Sequence, residues 1–144
     1  FETQQAVREG ASEVDMVVNL GDVKNGDFDA VEKEIEALKK AAGDNVLKVI
    51  VETCYLTQEE KIRLCECVTK AGADYIKTST GFGTAGATLE DIALFRAHIG
   101  PQVKVKAAGG IRTLDTALRM IELGVSRIGS TASVSIVEEL KHRL

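Results

Sequence analysis

The feature that most constrains this chain is a regular alternation of strand-like and helix-like segments. After an opening helix over residues 1–10, five strand patterns are each followed by a helix pattern. One such unit takes roughly 25 to 30 residues, a spacing typical of a parallel sheet with right-handed crossovers. Strands are expected at 13–19, 46–53, 74–81, 103–110 and 126–130, and the helices that follow them at 29–42, 57–71, 88–98, 114–123 and 133–144.

Length and composition predict one α/β domain over residues 1–144, with no linker inside it. The net charge of −4, with dispersed lysines and arginines, argues against a nucleic-acid partner. No apolar run reaches the ~18 residues of a membrane helix, so no membrane partner is expected. Cys54, Cys65 and Cys67 lack metal-ligand spacing and fit free thiols in a reducing cytoplasm, so we expect a cytoplasmic protein without a metal.

The third and fourth predicted strands each carry a lysine where a buried strand is normally apolar. These are Lys77 and Lys106, and both strands run into glycines. An ammonium group on a buried strand is unfavourable unless it is paired or neutral. One interpretation is a lysine near a strand end that extends into water. The repetition instead indicates two buried cations that lower each other's pKa, which is how a protein makes an amine nucleophilic near neutral pH.

Glycine-bearing turns follow the last two predicted strands. They are Gly109-Gly110-Ile111-Arg112 and Gly129-Ser130-Thr131-Ala132, and a predicted helix begins shortly after each. Glycine lets the backbone approach an anion closely, and a helix start presents unpaired N–H groups. Barrel enzymes bind substrate phosphates at the corresponding place, so the sequence predicts a phosphate site here.

A third glycine-rich segment, at 81–86, fits the G-x-G-x-x-G pattern of dinucleotide-binding folds. The acidic residue that should end the next strand is missing, because that strand ends in Ala107-Ala108-Gly109-Gly110. A lysine within the preceding strand is also atypical of such a fingerprint. The pattern is therefore not interpreted as an NAD site.

Four segments together resemble the deoxyribose-phosphate aldolase family in order and spacing. They are EVDMVVN at 13–19, KVIVET at 48–53, YIKTSTGF at 75–82 and VKAAGGIRT at 105–113. The resemblance covers essentially the whole chain. It implies a class I aldolase on a TIM (β/α)8-barrel, which cleaves 2-deoxyribose 5-phosphate to acetaldehyde and glyceraldehyde 3-phosphate. It further implies a small phosphorylated substrate, no metal or cofactor, and a homo-oligomer.

The resemblance also assigns roles to individual residues. It makes Lys77 the Schiff-base lysine and Lys106 a second lysine whose charge keeps Lys77 partly neutral. Asp15 would relay protons with water, although a structural salt bridge is the alternative for this carboxylate. Lys104, Lys48 and Glu52 are interpreted as a charge cluster in the core. The substrate phosphate would rest on Gly81, Gly109, Gly110, Arg112, Gly129, Ser130 and Thr131.

Size is the departure from the family. A complete barrel has eight strands and about 250 residues, whereas five strands are expected here. By resemblance the chain begins before the fourth strand of the barrel, so we expect a partial barrel with two open edges and an uncovered apolar interior face. Assembly with a partner chain could close it, or the chain could be part of a longer protein. The alternatives to an active aldolase are a catalytically impaired derivative that binds phosphate or self-associates, and another Schiff-base barrel enzyme, which the two-lysine pattern disfavours.

Overall fold

A computed structural model describes residues 1–144 as one sheet with helices packed on it. All five strands are parallel, and their order in the sheet is their order in the chain. The predicted parallel α/β fold is therefore confirmed. The strands are β1 (Glu13–Val17), β2 (Val46–Ile50), β3 (Tyr75–Lys77), β4 (Lys104–Ala108) and β5 (Arg127–Gly129).

Seven helices accompany the strands. Their bounds are α1 (Glu2–Arg8), α2 (Leu20–Lys24), α3 (Phe28–Ala42), α4 (Gln58–Lys70), α5 (Leu89–His98), α6 (Leu114–Glu122) and α7 (Ser133–Arg143). Because neighbouring strands are consecutive and right-handed crossovers repeat, the helices collect on one side of the sheet. None of them is long and apolar enough to cross a membrane.

The hydrophobic core lies between the sheet and this helix layer. Side chains alternate along each strand, so every second residue enters the core. One row across four strands shows this clearly, because its members are paired in register and almost fully buried: Met16, Val49, Ile76 and Val105. The core-facing row thus fixes which residues point to the opposite face.

The opposite face is charged, which corrects the expectation of an uncovered apolar interior. It carries Tyr75 and, around it, a set of acidic and basic side chains: Glu13, Asp15, Lys48, Lys77, Lys104, Lys106 and Arg127. Val17 is the large apolar residue exposed on it. A face that water can solvate does not carry the aggregation hazard that an apolar one would.

Two local elements were not expected from the sequence. The segment after β1 forms the short helix α2, where a loop was predicted, because Asn19 leaves the strand and its side chain accepts the N–H of Asp22 at 3.1 Å. Val23 anchors this helix in the core at 1% exposure. The strand predicted to run to Thr53 ends at Ile50, because Glu52 turns the chain into a short 3-10 helix, Thr53–Tyr55.

The helix α4 begins with a capping box. The Thr57 side chain accepts the N–H of Glu60 at 3.2 Å, and the Glu60 carboxylate accepts the N–H of Thr57 at 2.8 Å. Together they satisfy two N–H groups that a helix start leaves unpaired.

We expect Thr57→Ala to lower the free energy of unfolding by about 1 kcal/mol, because the N-cap acceptor is lost. Urea titration followed by circular dichroism measures this. Thr57→Ser keeps the hydroxyl and serves as the control. An equal loss in both variants would contradict the capping explanation.

Candidate functional site

The two predicted lysines lie side by side on the charged face. β3 and β4 pair in parallel, and the register sets Lys77 directly opposite Lys106. Paired residues of neighbouring strands project to the same face. Lys77 is the last residue of β3 and Lys106 the central residue of β4, and the glycine turns lie beyond them at the carboxyl ends of the strands, where parallel α/β folds place their sites.

The spacing of these strands is held beyond the end of their ladder by Thr78. Its hydroxyl is fully buried, donates to the carbonyl of Ala108 at 3.1 Å and accepts the N–H of Ala108 at 3.1 Å. A side chain thus takes over the hydrogen bonding where the strand pairing stops. The lysine pair is consequently fixed on a rigid part of the sheet.

The third predicted residue, Asp15, contacts the pair from β1. Its Oδ2 lies 3.0 Å from Lys77 Nζ, and its Oδ1 lies 3.0 Å from Lys48 Nζ. Burial works to raise the pKa of Asp15, but the ammonium groups of Lys77 and Lys48 outweigh it, so this pKa lies below its usual value. Asp15 is therefore ionised and bridges two cations.

Lys48 extends this network to both edges of the sheet. Its Nζ lies 3.0 Å from Glu13 Oε2, and that oxygen also accepts Arg127 Nη1 at 2.5 Å. The partners Arg127 and Lys48 lower the pKa of Glu13 to about 2. Burial works to lower the pKa of Lys48, but its hydrogen bonds to Glu13 and Asp15 outweigh this and raise it. Since Glu13 belongs to β1 and Arg127 to β5, the contact shows that the sheet curls strongly.

The predicted charge cluster of Lys48, Glu52 and Lys104 is wrong. Lys48 is 7% exposed and ion-paired as described, whereas Lys104 is exposed, with its Nζ 5.9 Å from the centre of the Tyr75 ring. Arg127 covers the same ring at 4.9 Å. The Glu52 carboxylate bonds instead to Thr80. The ion pair between Glu13 and Arg127 was not predicted, although Glu13 lies two residues before Asp15 in β1 and therefore on the same face of the sheet.

Lys106 and the exposed Lys104 are the cations of this face that the network leaves without a carboxylate, and of these two only Lys106 lines the pocket. Lys48, Lys77 and Arg127 share the two acidic groups Glu13 and Asp15, and Lys106 takes part in none of these ion pairs. Burial, and then repulsion from the ammonium groups of Lys77 and Lys48, lower the pKa of Lys106. The arrangement therefore provides an amine that gives up its proton more readily than an ordinary lysine.

The lysine pair forms the floor of a pocket of about 360 Å³. The structure brings nine of the ten predicted site residues to its wall, and Asp15 touches Lys77 from beside it. Thr80, Ala108 and Ile111 also line the pocket and were not predicted. The nine are Lys77, Gly81, Lys106, Gly109, Gly110, Arg112, Gly129, Ser130 and Thr131.

The glycine turns leave backbone donors free at the rim of this pocket. Gly109 and Gly110 have φ values of 84° and 73°, a conformation that side chains other than glycine rarely adopt. The N–H groups of Gly109, Gly110, Ser130 and Thr131 donate no hydrogen bond to the backbone. The Ser130 hydroxyl donates to the carbonyl of Ile111, which ties the two turns together. Convergent free N–H groups beside lysines can bind an anion.

The glycine-rich segment at 81–86 has a structural explanation of its own. A Cβ on Gly86 would collide with the carbonyl of Gly109, because the loop crosses the next turn at this point. The N–H of Ala87 is shared between the carbonyls of Ala108 and Gly109, at 3.1 Å each. Gly86 thus allows two backbones to pass each other.

The structure contains no cluster of metal ligands, and the two thiols of α4 are not reactive. No three His, Cys, Asp or Glu side chains gather closely enough to hold a metal ion. The three cysteines are free thiols: Cys65 and Cys67 lie in α4, and Cys54 lies in the 3-10 helix after β2. Burial raises the pKa of Cys65 to about 12 and that of Cys67 to about 11, so both stay protonated.

Comparison with known proteins places these residues in a family. The chain matches the DeoC/LacD family aldolase model over residues 1–130. It is 58% identical over 137 residues to a deoxyribose-phosphate aldolase of Clostridium botulinum, an alignment that covers 95% of this chain and 62% of that protein.

Solved structures agree with the sequence match. "QR15, an Aldolase" superposes with a TM-score of 0.92 at 46% identity, over 99% of this chain and 64% of the other. The deoxyribose phosphate aldolase from Aeropyrum pernix, described as a unique tetrameric structure, superposes with a TM-score of 0.87 at 31% identity, over 99% and 61%. The five strands thus match part of the TIM barrel of these aldolases. The chain spans less than two thirds of the length of the relatives it matches, and it belongs to the DeoC/LacD family of aldolases.

Proposed function

We propose that this chain carries the lysine site of a deoxyribose-phosphate aldolase. The reaction joins acetaldehyde and D-glyceraldehyde 3-phosphate to 2-deoxy-D-ribose 5-phosphate, or cleaves that sugar, through a Schiff base on Lys77. The observation that carries the proposal is the pocket in which Lys77 faces Lys106, touches Asp15 and lies beside unpaired turn N–H groups. The relatives named deoxyribose-phosphate aldolase support this substrate.

Each residue has a defined part in this chemistry. The Lys77 amine forms a bond to the aldehyde carbon, and the carbonyl oxygen leaves as water when the imine forms. Lys106 disfavours a second positive charge beside it and can exchange protons with the carbinolamine, because its own pKa is lowered. Asp15 lies 3.0 Å from the reacting nitrogen and passes protons between it and water.

The phosphate end of the substrate would occupy the glycine turns. Free N–H groups of Gly109, Gly110, Ser130 and Thr131 can donate to phosphate oxygens, with Gly81, Gly129 and Arg112 on the same wall. A phosphate bound there lies beside the lysines, so its charge also offsets part of theirs. This arrangement favours a phosphorylated aldehyde over an unphosphorylated one.

Intact mass after incubation with acetaldehyde and borohydride tests the nucleophile. We expect one reduced ethyl group on the protein and none on Lys77→Met. Lys106→Met should trap at least about tenfold more slowly near pH 7, because the proton exchange that Lys106 provides at the carbinolamine is lost. Lys104→Met, an exposed lysine on the same strand, is the control. A folded wild-type protein that traps no acetaldehyde would favour the catalytically impaired alternative.

The lowered pKa of Lys106 should also make the free energy of unfolding depend on pH. Folding lowers the pKa of Lys106 from its ordinary value of 10.5, so between the two values the unfolded chain binds more protons than the folded one. The free energy of unfolding therefore rises with pH across this interval. We expect Lys106→Met to be more stable than the wild type at neutral pH, and the difference to vanish above pH 10.5. Urea titrations at several pH values measure this, and a constant difference would contradict it.

We further infer a cytoplasmic homo-oligomer. The three free cysteines fit a reducing compartment, and exposed apolar side chains on the last two helices, including Ile121, Val134 and Val137, offer surface for association. The Aeropyrum pernix relative is described as tetrameric.

Light scattering measures this oligomeric state directly. We expect a mass that is a multiple of the chain mass, and Val134→Asp should lower it, because it places a charge in the apolar patch. Glu138→Asp on the same helix is the control. A wild-type mass equal to that of one chain would contradict the inference.

A further inference from the structure

The residue Glu52 adopts a backbone conformation that no other non-glycine residue in the chain shares. Its φ is 56° and its ψ 66°, in the left-handed region. A side chain with a Cβ is strained there and persists only where its surroundings demand it. Such residues concentrate at functional sites, so the contacts of Glu52 call for an explanation.

The Glu52 carboxylate accepts hydrogen bonds from Thr80, a residue of the pocket wall, and from the Cys54 thiol, whose Sγ lies 4.0 Å from Oε1. It is 4% exposed, and each of its oxygens lies 3.3 Å from the N–H of Thr80, whose hydroxyl also donates to Oε2. The Thr80 hydroxyl in turn accepts the N–H of Phe82 at 3.0 Å. Glu52 forms no ion pair with any lysine, arginine or histidine. A buried carboxylate that lacks a cation depends on these donors.

The turn that follows Thr80 packs directly on this carboxylate. A Cβ on Gly83 would lie 3.0 Å from Glu52 Oε1 and 2.7 Å from Cys54 Sγ, so a larger residue there would displace these side-chain atoms. Phe82 at the tip of the turn is 96% exposed and packs on nothing. The turn is therefore held from its inner side by the side chains of Glu52 and Cys54.

The Glu52–Thr80 contact defines one end of the pocket. Thr80 and Gly81 form its wall opposite Gly129 and Ser130, only three and four residues after Lys77. Glu52 occupies the N–H of Thr80, and the next N–H, that of Gly81, has no backbone partner. The strained residue thus holds one donor of the turn beside a donor that is available.

We propose that Glu52 is a positioning residue for the phosphate end of the substrate. Its carboxylate holds the turn from Thr80 to Gly83 so that the free N–H of Gly81 joins those of the other glycine turns. It does not touch Lys77, so it governs phosphate binding and not the reactivity of the amine. The inference rests on the proposed aldolase function, and it adds a residue to the recognition of phosphorylated substrates.

The experiment compares phosphate binding with amine chemistry in the same variants. Glu52→Gly removes the carboxylate and suits the positive φ, Thr80→Val removes the hydroxyl from the other side, and Glu52→Gln keeps the shape and an acceptor. Calorimetric titration with inorganic phosphate measures the first property, and borohydride trapping of acetaldehyde measures the second.

We expect Glu52→Gly and Thr80→Val to weaken phosphate binding at least about tenfold, because they remove charge-assisted hydrogen bonds between Glu52 and Thr80 that hold the turn in place. Both variants should change the rate of acetaldehyde trapping less than about threefold. Glu52→Gln should fall between these variants and the wild type. Phe82→Ala, at the exposed tip of the same turn, is the control and should change neither property.

The outcomes separate this inference from the proposed function. Unchanged phosphate binding in Glu52→Gly and Thr80→Val, with binding by the wild type, overturns the role of Glu52 alone. Equal losses of phosphate binding and trapping indicate a structural role and also overturn it. A wild-type protein that neither traps acetaldehyde nor binds phosphate overturns the proposed function and this inference with it.

Discussion

The parallel register of the five strands is the constraint on which the site depends. With consecutive strands as neighbours, the crossover helices cover one face and take every second side chain into the core. The other face can therefore carry charged side chains, which are unfavourable in a hydrophobic core. Because Lys77 and Lys106 are partners in that register, the same geometry that builds the core also brings two like charges together.

The ion pairs offset much of the repulsion among these like charges, but the cations on this face outnumber the carboxylates. Buried ion pairs repay their desolvation only when each charge is well partnered, and Glu13 and Asp15 each bridge two cations. Two carboxylates cannot serve every cation on the face. The excess falls on Lys106, which borders the pocket, and on Lys104, which is exposed to water. The imbalance is consistent with selection for chemistry at some expense of stability, as is common where like charges are gathered.

Much of this site could be predicted from the sequence, because a strand has a period of two. That period puts Lys77 and Asp15 on defined faces, and glycines after strands indicate where the chain turns. The contact between Glu13 and Arg127 could not be predicted, since it requires the curvature that brings the outer strands together. The charged character of the whole open face could not be predicted, because it depends on the register of all five strands. The left-handed backbone of Glu52 has no signal in its local sequence.

The position of Tyr75 gives this protein an optical property. The chain has no tryptophan and two tyrosines, so Tyr55 and Tyr75 dominate its ultraviolet emission. Tyr75 is 5% exposed and lies under Arg127 and Lys104, on the same face as the lysine pair. Its ring therefore experiences the electric field of the ionic network. Rearrangement of those charges when a ligand enters alters the emission of a fluorophore that the fold itself supplies.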